Sequence, residues 1–242
     1  MITQNKLYWI AENILSEEFP DISHALTEPD GLLAIGGALN PNLLLDAYRK
    51  GIFPWYSEGQ PVMWWSPDPR CVLFPDEFKI SRSLKKSLRK YDYTVTFDQA
   101  FSDVVKSCAG PRLASPGTWI TQSIIKNYNL LHEYGHAHSV ECWHGETLVG
   151  GLYGITIGRI FFGESMFSQM ADASKICLAH LVHLVKKLEY DLIDCQVTSD
   201  HLKSLGAKPI PRNDFSDILA KSCGEIYDKP EQNWPSISDY VI

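Results

Sequence analysis

The chain has 242 residues, a hydrophobic fraction of 45%, a charged fraction of 21% and a formal net charge of −7. That balance suits a soluble globular protein with a full core, and the negative charge speaks against indiscriminate nucleic-acid binding while leaving room for a local basic patch. No apolar run approaches the ~20 residues that span a bilayer, no secretory pattern opens the chain, and six scattered cysteines without a CxxC pair suit reduced thiols in a cytoplasm.

The glycines of GLLAIGGALNP (31–41) predict tight turns around a short apolar run. Asn40 then caps a predicted helix, Pro41 fits its first position, and Gly51 ends it. The stretch 51–70, GIFPWYSEGQPVMWWSPDPR, follows. Its prolines at 54, 61, 67 and 69 deny it a helix, yet it carries Phe53, Trp55, Tyr56, Trp64 and Trp65. Rings gain most when buried, so this segment is either a wall packed under its own domain or the lining of a pocket. CVLF (71–74) predicts a strand. KISRSLKKSLRK (79–90) has six basic residues and no acid. On a helix Arg82, Lys86, Arg89 and Lys90 share one face, with Leu84, Leu88 and Tyr91 on another.

YTVTF (93–97) predicts a strand, and Asp98 is expected to cap a helix carrying Phe101, Val104, Val105 and Cys108. A turn-rich connection over 109–117 precedes a further helix, capped by Thr121 and stopped by Gly135. From His138 the texture changes to consecutive strands, HSVECW, TLVGGLYGIT and RIFFGESMF. A helix from about 173 to 190, the strand LIDCQV and a short helix ending at Gly206 come next. A β-meander, a long helix, a strand and a helix imply an α/β (α+β) sheet covered by helices. The expected organisation is a small N-terminal domain over 1–70 and a larger domain over 71–242.

Three groups of residues are candidates for chemistry. His132-Glu133-Tyr134-Gly135-His136 matches HExxH, in which two histidines one helical turn apart hold zinc and the glutamate activates water. That geometry needs an unbroken helix, whereas Gly135 is expected to end this one and let the two rings diverge. The basic stripe is either a solvated face or a set of phosphate contacts. In LIDCQV, Asp194 and Gln196 are expected on one strand face and Cys195 on the other. A carboxylate in an apolar strand must be solvated, paired or hydrogen-bonded, which leaves a structural pair and a ligand site both open. Glu164 in FFGESMF poses the same question. Cys195 is the weaker candidate as a nucleophile, having no histidine adjacent in sequence.

The motifs EPDGLLAIGG, YRKGIFPWYS, WWSPDPR, GTWIT, YGHAHSVECW, GGLYG, FFGESMFS and IDCQV, in this order, closely resemble the bacterial leucyl/phenylalanyl-tRNA–protein transferases. The resemblance covers about 28–212. It implies a cytoplasmic enzyme with a small N-terminal domain and a C-terminal domain of the GCN5-related N-acetyltransferase fold. It implies transfer of leucine or phenylalanine, and less well methionine, from leucyl-, phenylalanyl- or methionyl-tRNA to the α-amine of proteins beginning with Arg or Lys. That transfer marks the acceptor for N-end-rule degradation. Aminolysis of an activated ester needs neither ATP, metal nor any other cofactor. Coenzyme A is not expected either, because Asp172 stands where the acetyltransferase turn before the long helix has a glycine. Matched residue by residue, Asp194 and Gln196 are the implied catalytic pair. Tyr48, Trp55, Trp119, Leu152, Phe161, Glu164 and Ile193 are implied around the aminoacyl-adenosine, and Arg82, Lys86, Arg89 and Lys90 on the tRNA. Within the aromatic segment, Trp55 is thus expected at the substrate and Trp64 and Trp65 in domain packing. A zinc peptidase built on His132, Glu133 and His136, and a non-catalytic tRNA- or peptide-binding module, are the alternatives.

Overall fold

A computed structural model describes residues 7–12, 19–89, 93–110, 119–224 and 234–235. Lys90 and Tyr91 of the basic run and most of the 109–117 connection lie outside them. Strand β1 (Tyr8–Ile10) runs parallel to β2 (Leu32–Gly36). Helix α1 (Pro41–Arg49) forms as its caps predict, with the Leu43 amide donating to Asn40 Oδ1 at 2.9 Å. Gly51, at φ +74°, turns the chain where a Cβ would lie 3.1 Å from Leu219 and 3.3 Å from Phe215. Strands β3 (Phe53–Pro54) and β4 (Met63–Trp65) complete a sheet ordered β1-β2-β4-β3 among the described residues. The prolines of 51–70 therefore allow two short strands while excluding a helix.

Strand β5 (Arg70–Leu73) opens the second sheet. Helix α2 (Arg82–Leu88) starts three residues later than the basic run does, because Ser81 Oγ accepts from the Leu84 amide and fixes the start there. Strand β6 (Thr94–Phe97) and helices α3 (Phe101–Ala109) and α4 (Gln122–Glu133) precede the meander β7 (Ala137–His144), β8 (Thr147–Ile157) and β9 (Ile160–Ser168). Then come α5 (Ala173–Lys187), β10 (Leu192–Gln196), α6 (Asp200–Ser204), β11 (Lys208–Ile210) and α7 (Arg212–Ser222). One expected cap is absent. Asp98 sits at φ +57° before the turn that starts α3, and its carboxylate accepts from the Ser139 amide and pairs with His138 Nδ1, each at 2.7 Å. It fastens β6 to β7 and leaves α3 to begin after Ala100.

The second sheet has the order β11-β5-β10-β9-β8-β7-β6 among the described residues. Strands β6 to β9 are antiparallel neighbours, and β10 joins parallel to β9 after the α5 crossover. This is a mixed α/β arrangement, a seven-stranded sheet flanked by helices beside a smaller N-terminal sheet of four strands among the described residues. Glycines 150 and 154 of β8 allow close packing: a Cβ at Gly150 would lie 2.5 Å from Ala173 of α5, and one at Gly154 2.2 Å from the Phe162 carbonyl. One apolar core runs from Leu33, Leu44 and Trp64 of the first sheet to Tyr153 and Phe162 of the second, and another fills the space beneath α5. Pairing of β9 with β10 stops at Asp194↔Phe162. Beyond that point β9 stays with β8 up to Ser168 while β10 stays with β5, so the sheet opens.

Candidate active site

A cavity of about 310 Å³ lies where β9 and β10 part. Trp119, Leu152, Phe161, Glu164 and Ile193 line it, as do Asp194 and Gln196. Leu178 and Leu181 add apolar surface from α5. The face is mainly hydrocarbon and aromatic, with few polar groups, as small-molecule sites usually are. Trp234, from the tail, backs one wall. Its ring lies parallel to those of His138 and Phe161 to within 17°, at 4.2 and 6.0 Å between centroids. Nothing in the sequence beyond Arg212 signals this contact.

Glu164 is the polar centre of the cavity. Tyr48 Oη donates to its Oε1 at 2.6 Å and Tyr128 Oη to its Oε2 at 2.9 Å, while the two phenols lie 2.5 Å apart. With Glu164 ionised, two phenolic protons must serve three oxygen–oxygen contacts; a proton on Glu164 supplies the third and closes the ring. Burial accordingly pushes Glu164 up to about 7, against the two tyrosine hydrogen bonds, which favour the carboxylate. The same burial, reinforced by Glu164, holds both phenols well above their ordinary range. Tyr48 thus reaches the cavity through Glu164 and is not part of its lining. Tyr128 reads in the sequence only as one apolar position of α4.

Asp194 and Gln196 depart from simple strand alternation. The ladder with β5 goes from Asp194↔Val72 directly to Gln196↔Cys71, so Cys195 is the extra residue of a bulge. Gln196 has φ +53°, and the Val197 amide donates to Cys195 O at 2.7 Å around it. Asp194, Cys195 and Gln196 all border the cavity as a result. Asp194 is fully buried and already paired: Arg70 Nε donates to Oδ1 at 2.8 Å and Nη2 to Oδ2 at 2.6 Å. The Gln196 amide adds a third bond to Oδ1 at 3.0 Å. A carboxylate so engaged is fixed in orientation and in turn fixes the backbone of Gln196. Sequence reasoning missed Arg70; its only signal is the last position of WWSPDPR. Contact with the Cys71 thiol and burial push the Cys195 thiol well up, which disfavours a thiolate nucleophile.

Trp55 is 45% exposed and does not line this cavity. Trp65 packs against it at 5.7 Å and donates from Nε1 to the Trp55 carbonyl at 2.7 Å. Trp65 therefore supports Trp55 directly, whereas Trp64, fully buried with Nε1 donating to Gly36 O at 2.9 Å, is domain packing. Arg82, Lys85, Lys86 and Arg89 of the basic stripe are exposed, and Leu84 anchors α2 in the core under α5. Ser87 Oγ donates to Asp172 Oδ2 at 2.8 Å, tying the basic helix to the start of α5, at the end of the sheet where β9 and β10 part.

Asp172 takes the left-handed conformation, φ +62°, that glycine usually supplies, and also binds Lys175 Nζ at 2.9 Å. Ser168 Oγ accepts from the Ser174 amide at 3.2 Å. The start of α5 thus spends both an amide and a nearby cation on partners within the chain. The HExxH match does not form a zinc face. Helix α4 ends at Glu133, Gly135 follows at φ +78°, and His132 stacks on Phe101 at 4.3 Å with Nδ1 2.8 Å from Ala137 O.

Residues 72–220 match the profile of the family described as leucyl/phenylalanyl-tRNA protein transferase, and 37–68 that of its N-terminal domain. The leucyl/phenylalanyl-tRNA–protein transferase of Cellvibrio japonicus is 53% identical over 215 residues, covering 89% of this chain and 92% of that one. Its counterpart from Stutzerimonas stutzeri is 56% identical over 214 residues, 88% and 94% of the two chains. That of Ectopseudomonas mendocina is 53% identical over 235 residues, 97% and 99%. These matches define an aminoacyltransferase. The chain belongs to the leucyl/phenylalanyl-tRNA–protein transferase family.

Proposed function

We propose that this enzyme transfers leucine or phenylalanine, and methionine less well, from aminoacyl-tRNA to the α-amine of proteins beginning with Arg or Lys, feeding N-end-rule degradation in the cytoplasm. The observation that carries the reading is the juxtaposition of an apolar cavity holding one poised carboxylate with an exposed basic helix at the same end of the sheet. Leu152, Phe161 and Ile193, with Trp119 beside them, suit a leucyl or phenylalanyl side chain. Glu164, when ionised, suits the donor's α-ammonium, and Tyr48 and Tyr128 fix its two oxygens. Arg82, Lys86, Arg89 and Lys90 are assigned to backbone phosphates of the tRNA, and exposed Trp55 to the terminal adenosine.

In the reaction the acceptor nitrogen attacks the ester carbonyl, a C–N bond forms, and the C–O bond to the ribose breaks. The amine loses a proton and the departing ribose oxygen takes one up. The ester supplies the driving force, so what the protein contributes is orientation and stabilisation of the developing oxyanion. Gln196 is the group of the implied pair assigned to the ester, because its side chain borders the cavity and its Nε2 has no partner among the described residues. Purified protein given leucyl-tRNA and an Arg-initiated peptide should yield a Leu-Arg peptide, detectable by mass spectrometry, without ATP or added metal. Absence of product with leucyl-, phenylalanyl- and methionyl-tRNA alike would overturn the reading.

A further inference from the structure

Arg70 has a fully engaged guanidinium, yet the transfer chemistry as described makes no use of it. Its side chain is 1% exposed. Beyond its fork on Asp194, Nη1 donates to Gly51 O at 2.9 Å. The guanidinium is clamped between the rings of Phe53 at 4.9 Å and Phe215 at 4.7 Å. Removing a guanidinium and a carboxylate from water is expensive, and apolar side chains of similar volume commonly fill such space at no loss of stability. What this pair supplies and an apolar filling cannot is orientation: a planar fork fixes both oxygens of Asp194.

That orientation is passed on. Asp194 Oδ1, held by Arg70 Nε, accepts the backbone amide of Gln196. Gln196 sits at φ +53° in the bulge, in a conformation that non-glycine residues adopt only when their surroundings impose it. Its side chain borders the cavity with Nε2 buried and unpartnered among the described residues. A buried amide donor without an acceptor is costly, and such a group in a cavity wall points to an acceptor on the ligand.

We propose that Arg70 is a positioning residue for the transfer step: through Asp194 it holds Gln196 in the strained bulge, with the carboxamide donor presented to the ester carbonyl of the aminoacyl donor. The inference rests on the aminoacyl-transfer reading. It assigns Arg70 no contact with substrate, and it makes Gln196 the residue through which Arg70 acts.

A mutant cycle on the full chain tests this, with Arg70→Lys, Gln196→Ala and the double variant. Three quantities are measured: the single-turnover rate of leucyl transfer per folded molecule, the affinity for an amide-linked, unreactive leucyl-adenosine analogue, and the thermal midpoint. Arg70→Lys keeps the charge and loses the fork, so transfer should slow about tenfold or more while analogue affinity stays within about threefold. The double variant should be no slower than Gln196→Ala alone, because Arg70 acts through Gln196. A purely structural role would instead lower rate, analogue affinity and midpoint together and would multiply with the effect of Gln196→Ala. That pattern, or wild-type rates in Arg70→Lys, overturns the proposal. If Arg70→Lys does not fold, Asp194→Asn takes its place in the same cycle with the same expectations. Failure of the unmodified enzyme to make product would overturn the transfer reading itself, and is thereby told apart from failure of the role given to Arg70.

Discussion

Glu164 is a residue whose behaviour its environment changes strongly. Its ordinary value of 4.5 rises to about 7 because burial outweighs the hydrogen bonds of Tyr48 and Tyr128. Between those values the folded protein binds more of this proton than the unfolded chain does. The contribution of Glu164 to stability is therefore greatest below about 4.5 and is lost as pH rises toward about 7. In thermal melts across that window, Glu164→Gln should remove this part of the pH slope. Tyr48→Phe deletes a bond that favours the carboxylate, so the Glu164 titration, followed by carbon NMR of the labelled carboxyl, should move further up; a downward move would contradict the network. Arg70 and Asp194 illustrate the opposite case, in which two buried charges meet bidentately and the value of the pair lies in geometry.

Among the elements, α2 carries the exposed cations and β10 the bulge that borders the cavity. Helix α2 combines one anchored face, through Leu84, with a face of exposed cations, and Ser87 fixes it to the turn before α5. Lys86→Ala combined with Arg89→Ala should weaken tRNA binding and flatten the log–log salt dependence by about 1.5 to 2. Turnover at saturating tRNA should change far less; a defect seen only in turnover would remove α2 from the tRNA interface. Strand β10 shows where pattern alone misplaced one residue, Cys195. Period-two alternation puts Asp194 and Gln196 on one face and Cys195 on the other, but the bulge brings all three to one cavity. The helix ends were legible because caps act locally: Asn40, Thr121 and Gly135 do what their side chains or their freedom of φ dictate. Asp98 was not, because Ser139 and His138, brought close by the β6–β7 pairing, outbid the helix for its carboxylate.

At the scale of the molecule the two sheets are not independent. A continuous core joins Leu33, Leu44 and Trp64 to Tyr153 and Phe162, and Arg70 bonds at once to Gly51 of the small domain and Asp194 of the large one. Calorimetry should accordingly show one unfolding transition, with calorimetric and van't Hoff enthalpies equal; two resolved transitions would mean that this shared core does not couple the domains. By itself the sequence determined the α/β class, helices α1 to α6, strands β5 to β10, the caps at Asn40 and Thr121, the basic stripe and, through eight ordered motifs, the family, while the four short strands of the first sheet, β11 and α7 went unread. Those signals are local or one-dimensional, so the order of residues along the chain suffices to carry them. Only the tertiary structure decided that Asp194 faces Arg70, 124 residues away, and that Glu164 is ringed by Tyr48, 116 residues away, and Tyr128, 36 away. Hydrogen-bond partners, burial and the resulting proton affinities depend on which distant side chains share a low-dielectric space, and the fold is what brings them there.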